Sequence, residues 1–173
     1  MSRSLFAKKD IEELLHLLKR RKARVEHVDE VPVSDVHYLM YISAYEGVEV
    51  TPDIELFGYE KALKENRYIE ENYPDLSLSL WMIGSSGQGD GWFLDRNSGF
   101  ILFYDHDQGE YNEKSGFLSF QIGFLEFIQA AFLFQEFESL LEEDHSVEES
   151  EKLLKIGLDA INPIIFDLYP YKY

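Results

Sequence analysis

The chain has 173 residues and no cysteine, which is the size of one ordinary domain and excludes disulfides, thiolate zinc sites and cysteine nucleophiles together. Sixteen Lys and Arg stand against 33 Asp and Glu for a formal charge of −17, while an apolar share of 45% with 13 Phe, 11 Tyr and 2 Trp is too high for a disordered chain. Residues 1–24 hold eight basic and three acidic side chains, a net of +5 there and −22 for the remainder; such a body repels nucleic acid and anionic lipid and draws in basic partners, although solubility alone is the commoner reason for an acidic surface.

No repeat or low-complexity linker interrupts the chain, so the sequence predicts a single domain over 1–173. The apolar trio Leu5-Phe6-Ala7 gives way at once to Lys8-Lys9-Asp10, unlike a signal peptide. The most apolar stretch, Ile122 to Phe134, is interrupted by Glu126 and Gln129 and is shorter than the roughly 20 residues of a membrane span. These features predict a cytoplasmic protein.

Ile11, Leu14, Leu15 and Leu18 recur at helical spacing, which predicts a basic N-terminal helix over residues 8–22 with the run Lys19 to Lys22 at its C-terminal end. A second helix is expected over 35–45, with Ser34 as N-cap, Val36, Leu39, Met40 and Ser43 along one side, and Gly47 beyond its end. A strand at Ile54–Phe57 leads to a helix over 60–71, stopped by Asn72-Tyr73-Pro74. Short β-prone runs come next at Leu78–Ile83, Gly91–Asp95 and Phe100–Tyr104, separated by Gly-rich or Asn97-Ser98-Gly99 turns, the last two reading as an antiparallel hairpin. After a polar loop comes a strand at Gly116–Phe120. A long helix over 123–143 is apolar nearly all round in its first half, as for a helix buried against the sheet. Ser146-Val-Glu-Glu149 is a capping box that opens a last helix through Ala160, with apolar members Leu153, Leu154, Ile156 and Leu158, ended by Asn162-Pro163. This order predicts an α+β fold with a mainly antiparallel sheet of about four to six strands and helices packed on it.

The segment Gly84-Ser-Ser-Gly-Gln-Gly-Asp-Gly91 invites three enzymatic readings, and none fits. A P-loop needs a Lys-Ser/Thr pair ahead of a helix, a dinucleotide fingerprint needs G-x-G-x-x-G opening a helix, and a nucleophile elbow needs G-x-S-x-G. Here the glycines run into the apolar Trp92-Phe93-Leu94, so the segment reads as a tight connection between strands. Asp105-His-Asp-Gln-Gly-Glu110 clusters three carboxylates and an imidazole but lacks calcium-loop spacing, and a solvated acidic loop is the simpler reading; a metal held by Asp105, His106 and Asp107 is the enzymatic alternative. The five histidines show no H-E-x-x-H or other ligand spacing. No catalytic, metal or cofactor residue is therefore assigned. Trp92 and Tyr104 read as core, and Tyr111 and the tail Tyr169-Pro-Tyr-Lys-Tyr173 as core or binding surface.

From Pro32 to about Phe127 the chain resembles the SUKH superfamily, which comprises immunity proteins of bacterial toxin systems and fungal cell-wall regulators of the Smi/Knr type. The residues that carry the resemblance are Val31-Pro32 ahead of the helix Val36–Tyr45 with Gly47 after it, Glu55-Leu-Phe57 with Asn66 in the next helix, and Ile83-Gly84-Ser85 with Asp90. Asp95 and Gly99, then Ser119-Phe120 with Phe124-Leu125, complete the series. Ser86 and Gln88 depart from the family's loop, and residues 145–173 lie outside the match. The resemblance implies a non-catalytic domain that occludes a cognate protein toxin, basic and often a nuclease, without binding nucleic acid or membrane itself; a regulatory or scaffold module is the alternative that the fungal branch implies. The partner-binding residues expected on this reading are Asp90, Asp95, Asp105, Asp107, Glu110, Tyr111 and Glu113.

Overall fold

The apolar runs read as strands join one sheet in the computed structural model, which describes residues 5–172; Arg3 of the basic stretch and Tyr173 of the tail lie outside the described residues. Its strands are β1 (Val48–Thr51), β2 (Ile54–Leu56), β3 (Leu80–Ser85), β4 (Gly91–Asp95), β5 (Ile101–Tyr104) and β6 (Leu118–Ser119). They lie in chain order and each is antiparallel to the next. The helices are α1 (Ile11–Leu17), α2 (Val36–Ala44), α3 (Tyr59–Asn72), α4 (Pro74–Ser77), α5 (Phe124–Glu142), α6 (Val147–Ile161) and α7 (Ile164–Leu168). The fold is α+β. Among the described residues no helix is long and apolar enough to cross a membrane.

The described residues divide into two compact units, Leu18–Phe124 in one, and 5–17 with 125–172 in the other. The first holds the sheet. Nearly every residue of β3, β4 and β5 is buried, which explains why these strands read as unbroken apolar runs rather than alternating ones. On one face Trp92 packs its ring against Phe103 and Phe120, and Trp81 Nε1 donates to the Tyr38 hydroxyl of α2 at 2.9 Å. On the other face Phe93 and Tyr104 meet the rings of Tyr111 and Phe117. A bulge in β3 between Met82 and Gly84 is matched to α3 by Asn66. Its side chain accepts from Met82 N at 2.7 Å and donates to Met82 O at 2.9 Å, so both backbone groups of that residue are satisfied by one buried amide. Gly84 lies where β2 and β3 approach so closely that a Cβ there would collide with the Glu55 carbonyl oxygen.

In the second unit the first half of α5 is buried around its whole circumference, from Phe127 and Ile128 to Phe134. The stretch before α1 is tied to α5: Phe6 N donates to Glu136 at 2.9 Å, Lys9 pairs with the same carboxylate at 2.6 Å, and Gln129 donates to Lys9 O.

Three expectations need correction. The basic helix is short: Asp10 and Glu13 cap each other's amides to open α1, but the helix stops at Leu17. Lys19 and Arg21 instead exchange backbone bonds with Glu46 and Ala44, and Arg20 bridges to Tyr45. The N-cap of α2 is Asp35 rather than Ser34, since the Asp35 carboxylate accepts from His37 N and Tyr38 N with one oxygen and from Phe124 N with the other. Finally, β1, α4 and α7 are additional to the expected elements; each is five residues or fewer, too short for periodicity to register.

Candidate functional site

The turn between β3 and β4 is closed on itself. Its five amide N–H groups are all engaged within the chain: Ser86 with Asp90 O, Gly87 with Pro52 O, Gly89 with Ser86 O, and both Gln88 and Asp90 with Ser86 Oγ. A phosphate cradle needs such groups converging on open space, and none here is left to converge. Among these glycines only Gly89 has a positive φ, +100°, so it supplies the reversal.

Asp90 completes the turn and anchors the start of the segment after β5. It is buried, with Oδ2 accepting from Ser86 Oγ at 2.9 Å and Oδ1 accepting from His106 N at 3.0 Å and meeting His106 Nδ1 at 2.6 Å. The hydrogen bond to Asp90 raises the His106 pKa above its ordinary value, against desolvation. The carboxylate thus lies between hydroxyl and imidazole. In a nucleophilic triad the imidazole is the middle member and takes the hydroxyl proton; here the Ser86 hydroxyl points at Asp90, so His106 has no serine to activate. The other imidazole nitrogen, Nε2, lies at the surface 3.2 Å from Asp107 Oδ1. Asp90, Asp105 and His106 each bring one ligand atom within 4.8 Å of the others, a grouping that could hold a cation. It differs from the trio read from the sequence, with Asp90 in place of Asp107.

Asp95 is the last residue of β4, five residues beyond Asp90 and about 17 Å away at the strand's rise. It too is largely buried. Lys114 Nζ pairs with its Oδ2 at 2.8 Å, while Oδ1 accepts from Asn97 N and Ser98 N. Burial pulls the Asp95 carboxyl up, but the Lys114 bond and the two amides outweigh it and hold the pKa below the ordinary value.

These two carboxylates define what the segment 105–116 is. It is a strap that leaves β5 beside Asp90, crosses the face carrying Phe93 and Tyr104, and is pinned again at Asp95. Tyr111 is the strap's inward anchor. Its ring lies 5.6 Å from Phe93, 4.9 Å from Tyr104 and 5.2 Å from Tyr73, and burial pushes its hydroxyl up to about 12. The Tyr104 hydroxyl donates to Glu110 O at 2.9 Å, and Gln108 donates to Gly116 O, holding the strap's own backbone. Asp105 caps the 3₁₀ turn His106–Gln108 through the Asp107 amide. Asp107, Glu110 and Glu113 are exposed.

The seven residues expected at a partner surface therefore fall into two kinds. Asp90 and Asp95 face inward as pins, Tyr111 is half-buried as anchor, and Asp105, Asp107, Glu110 and Glu113 stand along the outside of the strap. Three residues with a part in the site carry no sequence assignment: Ser86, His106 as a partner of Asp90, and Lys114. A signal for one of them exists, since the hairpin register pairs Gly91 with Tyr104 and so brings residue 90 beside residues 105 and 106. Lys114 has none, because its position depends on where the strap ends. Trp92 and Tyr104 are core, at 0% and 4% exposure. In the tail, Tyr169 is buried and stacks on Phe134 at 3.7 Å between ring centroids. Comparison with family models, with curated proteins and with solved structures finds no match to this chain.

Proposed function

We propose that this protein is a non-catalytic, cytoplasmic immunity or inhibitor protein that binds and neutralises a basic protein toxin of the nucleic-acid-directed class. The observation that carries the reading is the strap: four carboxylates, Asp105, Asp107, Glu110 and Glu113, on a segment pinned at both ends and anchored by Tyr111. An enzyme that grips a phosphate backbone needs a basic cleft, and a rigid row of carboxylates is its electrostatic complement. Rigidity matters because a segment already ordered loses little entropy on binding. The formal charge of −17 adds long-range attraction for the same partner, and the residue series that resembles the SUKH superfamily suggests the same reading.

The test is affinity capture from the native host followed by mass spectrometry, with the product of the gene immediately upstream tested directly as purified protein. The proposal expects a one-to-one complex with a basic, secreted toxin and loss of the toxin's activity on complex formation. Capture of a cell-wall synthesis enzyme, with no toxin gene upstream, would favour the regulatory module instead.

A further inference from the structure

The sequence groups Leu153, Leu154, Ile156 and Leu158 as the apolar side of α6, but the structure splits them. Leu154 and Leu158 are buried at 3% and 0% exposure, whereas Leu153 is 44% and Ile156 68% exposed. With the exposed Ala160, these two form a second apolar stripe at i, i+3 and i+7, on a helix whose first is already used. Scattered exposed apolar residues need no explanation, but a stripe at the spacing of a helix–helix seam does.

We propose that this stripe is the contact through which two copies of the chain associate, with their α6 helices antiparallel. The charges beside the stripe argue for a second copy over an unrelated partner. Lys152 and Asp159 are seven residues apart and so lie on the same flank; exposed Lys152 pairs with Glu148 at 3.0 Å, and half-buried Asp159 gives Oδ2 to Lys155 at 2.8 Å while its Oδ1 is buried without a hydrogen-bond partner. When two α6 helices cross antiparallel about the Leu153–Ile156 centre, Leu153 of each meets Ile156 of the other. Lys152 of each then falls beside Asp159 of the other. One twofold operation satisfies both pairs, which is the self-complementarity that an isologous interface demands. Glu149 comes opposite Ala160, whose small side chain leaves the carboxylate open to water. The exposed Lys152–Glu148 pair costs little to exchange, since such ion pairs contribute roughly 0–1 kcal/mol, and Asp159 can keep Lys155 while a second ammonium approaches. One helix per copy is a small contact, so the dimer belongs to the weak, concentration-dependent class.

Sedimentation velocity of the full-length protein over a concentration series tests this. The wild-type chain is expected to pass from monomer toward dimer as concentration rises to about 1 mM. Ile156→Glu puts an unpaired charge in the seam and is expected to weaken association at least ~30-fold, with an unchanged thermal midpoint because the position is exposed. The decisive arm uses Lys152→Asp and Asp159→Lys, each of which sets like charges against each other in its own dimer. Each alone is expected to associate ~10-fold more weakly, and an equal mixture of the two to recover the wild-type behaviour, because the mixed pair is complementary at both contacts. A wild-type chain that stays monomeric throughout, a dimer indifferent to Ile156→Glu, or a mixture no better than its components would each overturn the proposal.

Discussion

The two ends of β4 and the outer edge of the strap carry the same kind of side chain to opposite ends. Asp90 and Asp95 are carboxylates turned into the protein, each accepting from a cation or an imidazole and from backbone amides. Asp107, Glu110 and Glu113 are carboxylates turned to water, with only exposed local contacts, Asp107 with His106 Nε2 and Glu113 with the Ser115 hydroxyl. The first kind holds the strap in place; the second is what the strap holds out. An acidic composition therefore hides a division of labour that burial alone separates.

Mutation separates the two kinds most sharply. Replacing Asp90 by alanine leaves Ser86 Oγ and His106 N without their acceptor in a buried place, and the expected loss is about 3 kcal/mol, read as a lower midpoint in urea unfolding. Asp95→Ala should cost about 1.5 kcal/mol in the same assay, because the Asn97 and Ser98 amides lie in a turn that water can reach. The quadruple change Asp105→Asn, Asp107→Asn, Glu110→Gln and Glu113→Gln is expected to alter stability by no more than about 0.5 kcal/mol, since an asparagine at 105 can still cap the 3₁₀ turn. If this quadruple variant were as destabilised as Asp90→Ala, the division between pins and displayed charges would be gone.

A pH titration sharpens the same contrast at one residue. Asp90 raises the His106 pKa above its ordinary 6.5, so the charged pair contributes fully below about 6.5, and its contribution fades as pH rises through the raised value. NMR of the imidazole should place its midpoint above 6.5 in the wild-type chain, with Asp90→Asn moving it down. Asp107→Asn should move it much less, because the Asp107 carboxylate is exposed and its effect is screened.

The sheet and the long helices are legible in the sequence because their signals are local. β4 matches its apolar run residue for residue, α5 agrees with its expected span to within a residue at each end, and Ser146 caps α6 by accepting from Glu149 N. The illegible features depend on partners distant in the chain. The basic run Lys19 to Lys22 suits a helix end by itself, yet it pairs with the segment after α2, and tertiary bonding overrides the propensity. The acids of the site stand out in the sequence, but their orientation does not. Asp90 and Asp107 are equally polar in sequence, and only the register of β4 against β5 turns one toward Ser86 and His106 and leaves the other in water. The four apolar residues of α6 divide for the same reason, since helical spacing marks a face but not what covers it.

If the strap displays its carboxylates for a basic partner, as proposed, the association rate with the purified product of the gene immediately upstream depends on salt and on those carboxylates. Rapid-mixing measurements across rising ionic strength should show the wild-type rate falling by about tenfold or more, with the quadruple strap variant starting slower and responding less. A rate that ignores salt, or a quadruple variant that binds as fast as wild type, would contradict the account.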